Sequence, residues 1–285
     1  LTPAADGIAV VVGGASGLGL ACATELGRER PLLVADLPGA RLKQSVGALR
    51  AVGVDAIGVG CDISDPESVA KLGNAISARG EIAQIVHTAG IDPGRNGDGD
   101  AIVAVNLVGA ALVLEMALDR VLPGGVGVFF GSIGAARPNL VGRYSDAVSD
   151  PLAADLWARI EAVGPLGPNP GAAYAVAKHG VIQMVERRAV DWGRRGARLV
   201  SLSPGMIAGT GMTAAAHPDG RSIHVDNSAL DRAGEPGEIA AAVAFLCSPA
   251  ASYISGCDLR VDGGATAGLH HHADKATRST WDPTN

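Results

Sequence analysis

The chain has 285 residues, enough for one large domain or two small ones and for a substantial core. At 47% hydrophobic and 18% charged it is no disordered tail protein, and with only three each of Phe, Tyr and Trp it has no aromatic platform for stacked nucleic-acid bases. A net charge of −6 argues against a nucleic-acid partner, although it leaves room for an anionic small ligand held by backbone N–H groups.

In chain order, Leu1–Gly7 lacks the basic start and apolar stretch of a signal peptide. Short apolar runs then alternate with longer Ala- and Leu-rich segments. Strands are expected at Ile8–Val12, Leu32–Ala35, Asp55–Cys61, Ile82–His87 and Gly127–Gly131, with helices at Gly17–Glu29, Ala40–Val52, Pro66–Arg79 and Ala101–Val121. Within the last helix, Ala101–Leu118 approaches the length of a membrane span. Asn106 and Glu115 interrupt it and no basic cluster flanks it, so a buried core helix is expected and no membrane partner. The segment from Ala136 to Ala172 carries five prolines and breaks the rhythm; it reads as an insertion carrying a short helix or two, with Leu152–Val163 helix-like. The alternation resumes with a helix at Ala173–Arg194, a strand at Arg198–Ser203, a helix at Pro236–Cys247 and a strand at Asp258–Val261. Seven strands in βαβ units predict a Rossmann-type doubly wound parallel sheet with helices on both faces.

The expected organisation is one dinucleotide-binding and catalytic domain over residues 1–265, holding an inserted helical segment at 136–172 and a substrate loop at 206–232. A C-terminal tail covers 266–285. Met206, Met212 and Trp157 either line a substrate lid or cover core. His270, His271 and His272 lie in a polar tail without carboxylate or Cys neighbours, so no metal site is assigned. Cys22, Cys61, Cys247 and Cys257 form no CxxC pair and read as free thiols of a reducing, cytoplasmic setting.

The run Gly13-Gly14-Ala15-Ser16-Gly17-Leu18-Gly19 follows a strand and opens a helix. A dinucleotide pyrophosphate sits on such a helix N-terminus, and side chains on the turn would obstruct it. A tight turn alone would also use these glycines. Asp36 strengthens the nucleotide reading: it ends the second strand 17 positions after Gly19, where a ribose-binding carboxylate is expected. A carboxylate there repels the extra phosphate of NADP, and no cation stands at Ser16 or Leu37, so NAD is the predicted cofactor. A helix N-cap is the other reading of Asp36.

Tyr174 and Lys178 share a helix face four residues apart. An ammonium beside a phenol favours the phenolate and moves it toward acid–base use. Ser132 ends the fifth strand, on the side where open parallel sheets bind ligands, and its hydroxyl suits a substrate oxygen.

Together these residues resemble the short-chain dehydrogenase/reductase superfamily over about Gly7–Gly264. The matching features, in order, are the glycine turn, Asp36, Cys61-Asp62-Ile63, Thr88-Ala89-Gly90, Asn106 in NLVG, Ser132 in GSIGA, YAVAK at 174–178, Pro204-Gly205 and VDGG at 261–264. The resemblance implies that Tyr174 is the acid/base, Lys178 its pKa-lowering and ribose-binding partner, Ser132 the polarising hydroxyl, and Asn106 the holder of a water linking Lys178 to solvent. It implies cofactor contacts at Gly13, Ser16, Gly17, Leu18, Gly19, Asp36, Leu37, Asp62, Ile63, Ala89, Gly90, Tyr174, Lys178, Pro204, Gly205, Ile207 and Thr210. It also implies a homodimer or homotetramer. A buried polar residue satisfying a neighbouring strand is the alternative for Asn106.

Three departures from the family stand out: Val12 for the usual Thr, His87-Thr88 for the usual Asn pair, and Thr210 one residue further from Pro204-Gly205 than usual. The 42 positions from Ser132 to Tyr174 exceed the common spacing, and the second half is similar to the bacterial 3α-hydroxysteroid dehydrogenase/carbonyl reductase branch. The expected activity is NAD(H)-dependent interconversion of a secondary alcohol and a ketone on a hydrophobic or steroid-like substrate. The alternatives are a non-catalytic NAD-binding sensor or scaffold, which would not need the Asn106–Ser132–Tyr174–Lys178 set, and a nucleotide-dependent methyltransferase, which leaves Tyr-x-x-x-Lys unexplained.

Overall fold

The computed structural model describes residues 6–94, 98–209 and 223–271. Seven parallel strands form one sheet in the order β3-β2-β1-β4-β5-β6-β7: β1 Ile8–Val12, β2 Leu32–Asp36, β3 Ala56–Gly60, β4 Ile82–His87, β5 Val121–Phe130, β6 Arg198–Pro204 and β7 Asp258–Val261. The interior strands β1, β4 and β6 are buried along their whole length, which explains the unbroken apolar sequence of β1 and the mostly apolar sequence of β4. The edge strands β3 and β7 are only partly buried.

One face is covered by α3 (Pro66–Arg79), the long helix α8 (Pro170–Arg194), and the helical run formed by α4 (Gly99–Val103), a π-helical turn (Ala104–Gly109) and α5 (Ala110–Leu118). The other face is covered by α1 (Gly17–Leu26), α2 (Ala40–Ala51) and α10 (Pro236–Cys247). Helices α6 (Pro138–Tyr144) and α7 (Leu156–Val163) form the insertion, and the short α9 (Ile223–Asp226) packs on α11 (Ala265–His271). Among the described residues, the run Gly99–Leu118 is the helix long and apolar enough to cross a membrane; it is largely buried against α3 and α8.

Several boundaries differ from expectation. The helix predicted to reach Val121 stops at Leu118, and β5 starts at Val121, ahead of the expected Gly127, because Val121 pairs with Ile82. A register shift between Ile82 and Gln84 absorbs Pro123-Gly124-Gly125. Helix α8 begins at Pro170, three residues early: proline occupies its first turn and the Asn169 side chain accepts from Ala172 N at 3.0 Å. Helix α1 ends at Leu26 where Gly27 follows, short of the expected Glu29. The insertion carries two helices, α6 and α7, within the one or two expected, and α7 starts at Leu156, four residues after the expected Leu152. The expected tail opens as helix α11, with Thr266 and Leu269 buried.

The chain moves outward from β1 through β2 to β3, then crosses back to β4 on the other side of β1. The carboxyl ends of β1 and β4 therefore diverge, and ligands bind at such a switch point.

Candidate active site

The glycine turn leaves β1 directly at this switch point. Gly13 (φ +85°) is pressed against the turn after β4: a Cβ there would lie 2.5 Å from Ala89 N, so no side chain fits. Thr88 fastens the turn, its hydroxyl donating to Val12 O at 3.1 Å and Gly13 O at 3.2 Å. The bond left in doubt by the family departures at Val12 and at 87–88 is thus supplied by Thr88. Gly19 is buried against the same hydroxyl, 2.6 Å from where its Cβ would stand, while Leu18 beside it is partly buried. Gly17 (φ +51°) behaves differently: a Cβ there would meet nothing within 4 Å. Ser16 caps α1 in extended conformation, yet its exposed side chain makes no capping bond. The first-turn N–H groups of a helix lack intrahelical acceptors, so open space over Gly17 is a cradle of the kind a pyrophosphate fills.

Asp36 ends β2 and is not a helix N-cap. Its Oδ2 accepts from Ala15 N at 3.0 Å and its Oδ1 from Leu37 N at 2.9 Å. Arg41, in the first turn of α2, brings Nη2 to 3.3 Å from Oδ1. No cation at positions 16 or 37 announced this; the signal was an arginine five residues on, facing back along a helix turn. Leu37 is more than half exposed. Asp62 turns its carboxylate into its own loop, accepting from Ser64 N at 2.9 Å and Ser64 Oγ at 2.7 Å, and Ile63 is buried against Gly109. Pro204 and Gly205 sit at the end of β6, where Gly205 N donates to Val261 O at 2.9 Å. Ile207 has its side chain buried against the α10 side of the sheet. Thr210, Met212 and His272 lie outside the described residues.

The four residues expected to carry chemistry converge at the ends of β4 and β5. Lys178 is buried and donates to Phe130 O at 2.9 Å, and its Nζ stands 6.0 Å from the centre of the Tyr174 ring. Tyr174 is hydrogen-bonded to Ser132. Ser132 Oγ also accepts from Gly134 N at 3.0 Å, and Gly134 lets the Tyr174 ring close in, a Cβ there lying 3.2 Å from Cε1. Asn106 sits inside the π-helical turn and grips Ile91 twice, Oδ1 accepting from its N–H at 2.8 Å and Nδ2 donating to its carbonyl at 2.9 Å. The π turn widens the helix at a polar residue, as such turns do at functional sites. The backbone of Gly90 fits between Asn106 and Lys178: a Cβ would lie 2.9 Å from Asn106 Oδ1 and 3.7 Å from Lys178 Nζ. Asn106 thus satisfies the backbone of a neighbouring segment, as the alternative reading of it has it.

Burial pushes the Tyr174 phenol up from its ordinary value; Ser132 pulls it down, and the negative charge of Asp92 raises it further. The hydrogen bond from Ser132 thus favours the phenolate against burial. Lys178 itself is drawn down to about 8 by burial. His87, which the sequence marks only as a departure from the family's Asn pair, ends β4; it is buried, packed at a tilt on Phe129 with ring centres 5.3 Å apart, and held down to about 3 by burial and by Lys178.

The insertion is tied to this region: Ser145 on its first helical stretch meets His179 Nε2 at 2.9 Å, next to Lys178 in the chain. His270 on α11 reaches Ala136 O at 3.1 Å, just beyond the Ser132 loop. Trp157 is 44% exposed, on the side of α7 that carries Ala158 and Glu161.

The short chain dehydrogenase family model matches residues 7–145, and the model described as enoyl-(acyl carrier protein) reductase matches 162–266. The unmatched stretch between them falls inside the insertion. The cis-4-hydroxycyclohexanecarboxylate dehydrogenase of Sinomonas cyclohexanicum is 31% identical over 271 residues, covering 92% of this chain and 98% of the relative. This protein belongs to the short-chain dehydrogenase/reductase family. Its relatives in the family include the 2,5-dichloro-2,5-cyclohexadiene-1,4-diol dehydrogenase of Sphingobium indicum, 28% identical over 273 residues and covering 92% of this chain and 97% of the relative. The fold is shared with a short-chain dehydrogenase/reductase from Mycobacterium ulcerans, at TM-score 0.75 and 24% identity over 92% of this chain and 90% of that one. As a short-chain dehydrogenase/reductase, the chain is an oxidoreductase of alcohols and ketones that uses a nicotinamide dinucleotide.

Proposed function

We propose that this protein is an NAD(H)-dependent dehydrogenase/reductase that interconverts a secondary alcohol and a ketone on a hydrophobic, ring-bearing or steroid-like substrate. The observation that carries this reading is the meeting of Tyr174, Ser132 and Lys178 beside the glycine turn, at the carboxyl ends of the strands. Support for a ring alcohol comes from the two relatives named above, whose names describe six-membered carbocyclic alcohols.

In this reading the glycine turn holds the pyrophosphate over Gly17 and Asp36 accepts from the adenosine ribose hydroxyls. The turns at Asp62-Ile63, Ala89-Gly90 and Pro204-Gly205-Ile207 border the rest of the dinucleotide, with Thr210 as a further contact. The dinucleotide supplies or accepts the hydride. Ser132 donates its single O–H to the phenolate form of Tyr174 or, with substrate bound, to the substrate oxygen. Tyr174 takes the hydroxyl proton when alcohol is oxidised and returns it when ketone is reduced. Lys178 keeps a positive charge one helical turn along, and Asn106 fixes the Ile91 backbone so that Gly90 stays against Lys178. We place catalysis and cofactor binding in one domain of residues 1–265, in a cytoplasmic homodimer or homotetramer.

Tyr174→Phe tests the reading. It should retain dinucleotide binding by fluorescence titration and lose turnover of secondary alcohols by a factor of a hundred or more, within the ~10²–10⁴-fold range of a positioned acid/base. A Phe variant with wild-type turnover would remove Tyr174 from the chemistry.

A further inference from the structure

His87 is the most unusual polar group in the molecule. It ends β4, in register with Val12 of β1 and Phe129 of β5, and is 1% exposed. Neither ring nitrogen has a hydrogen-bond partner among the described residues. A neutral imidazole carries one donor and one acceptor, and leaving either unmet in a buried site is costly. Native proteins meet such groups, with an ordered water where no protein atom reaches.

The group nearest in chemistry is Lys178. Its ammonium has three N–H donors, of which Phe130 O takes one. The two residues interact electrostatically. Gly90, three residues after His87, packs against Lys178 Nζ and Asn106 Oδ1. Asn106, on the other side of Gly90, is turned to Ile91, its Oδ1 accepting from the Ile91 N–H and its Nδ2 donating to the Ile91 carbonyl. An unmet acceptor and a cation with donors to spare thus share one buried corner beneath Tyr174.

We propose that His87 is a positioning residue for Lys178: through one ordered water, a ring nitrogen accepts from the ammonium and keeps it charged and directed at the site of Tyr174. This rests on the catalytic reading of Tyr174 and Lys178 given above. The ring suits the task because burial holds it at about 3, so it stays neutral and remains an acceptor at every working pH. The other titratable groups acting on this corner are Tyr174, one turn away on the same helix, and Asp92, whose charge acts on Tyr174.

The test is the pH profile of ketone reduction, which needs Lys178 protonated. Burial already draws Lys178 down to about 8, so its charged form depends on its remaining acceptors. In His87→Leu the alkaline limb of kcat should move about one unit toward lower pH, a roughly fivefold loss of rate at pH 8 that grows to about tenfold at higher pH. The thermal midpoint should stay near that of the wild type, because an unmet polar ring is exchanged for an apolar side chain. If the Leu variant does not fold, His87→Phe, which keeps a ring against Phe129, carries the same expectation. At least one of His87→Asn and His87→Gln, whose amide oxygens stand near the positions of Nδ1 and Nε2, should restore the limb. An unmoved limb in the apolar variant overturns the proposal, as does failure of both amides to restore it; a fall in stability alone marks a purely structural role and also overturns it. Active Tyr174→Phe would instead defeat the catalytic reading, whatever the His87 variants do.

Discussion

The carboxylate of Asp36 accepts the backbone N–H of Ala15 at 3.0 Å, which ties the end of β2 to the glycine turn 21 residues earlier. The same carboxylate takes Leu37 N and lies 3.3 Å from Arg41. Asp36 is therefore a brace for the cradle as well as the acidic group expected to face a ribose. Asp36→Ala should lower the preference for NAD over NADP, measured as the ratio of their kcat/KM values, by tenfold or more, equivalent to about 1.4 kcal/mol. Arg41→Ala should raise that ratio, because the exposed guanidinium is the cation available to a 2′-phosphate. A ratio unchanged in both variants would remove this end of the site from cofactor choice.

Gly17 separates the conformational demand of the turn from its demand for space. Its φ of +51° disfavours any side chain, yet the position of a Cβ is unobstructed. Gly17→Ala should cost about 1–2 kcal/mol in unfolding free energy, the penalty of the left-handed region. Its larger effect should be on dinucleotide affinity, with Kd rising at least tenfold, since the methyl would enter the cradle. Chemical denaturation and fluorescence titration measure the two separately. Gly13→Ala should be far worse for folding, because its Cβ meets backbone at Ala89.

Most of the strands were legible in the sequence because they are buried on both faces and bounded by turn residues; β1 and β4 appear with the expected limits. The Tyr174–Lys178 pair was legible from helical spacing and Asp36 from its distance to the glycines. What escaped depended on contacts between segments far apart in the chain. The early start of β5 was hidden by Pro123-Gly124-Gly125, and only its pairing with β4 makes Val121 a strand residue. The π turn at Asn106 has no local signature; it exists because Asn106 binds Ile91 across the cleft. Arg41 and His87 carry no motif, and their significance lies in what folding places beside them.

The hydrogen bond from Ser132 favours the Tyr174 phenolate against burial and Asp92. Removing its hydroxyl in Ser132→Ala should let the phenol rise further. Alcohol oxidation needs the phenolate, so the acid limb of its pH–rate profile should move to higher pH. The rate at neutral pH should fall more than the rate at the alkaline plateau. A profile lowered uniformly, without a shifted limb, would confine Ser132 to holding substrate.

Acid stability offers an independent check on the buried corner. His87 has its folded-state pKa lowered from 6.5 to about 3. Between those values the unfolded chain binds a proton that the folded protein does not, so stability rises with pH across the window. The neutral ring carries no protonation penalty above pH 6.5, and stability is lost progressively as pH falls toward 3. At pH 5 the loss from this one group is about 2 kcal/mol, at ~1.4 kcal/mol for each unit below 6.5. For a protein of this size that lowers Tm by several degrees. Carboxylates add to acid destabilisation in every variant, so the quantity to measure is the difference between wild type and His87→Asn in the change of Tm from pH 7 to pH 5. The Asn variant should lose less. Equal losses would mean that the imidazole is protonated in the folded state, which its burial beside the Lys178 ammonium opposes.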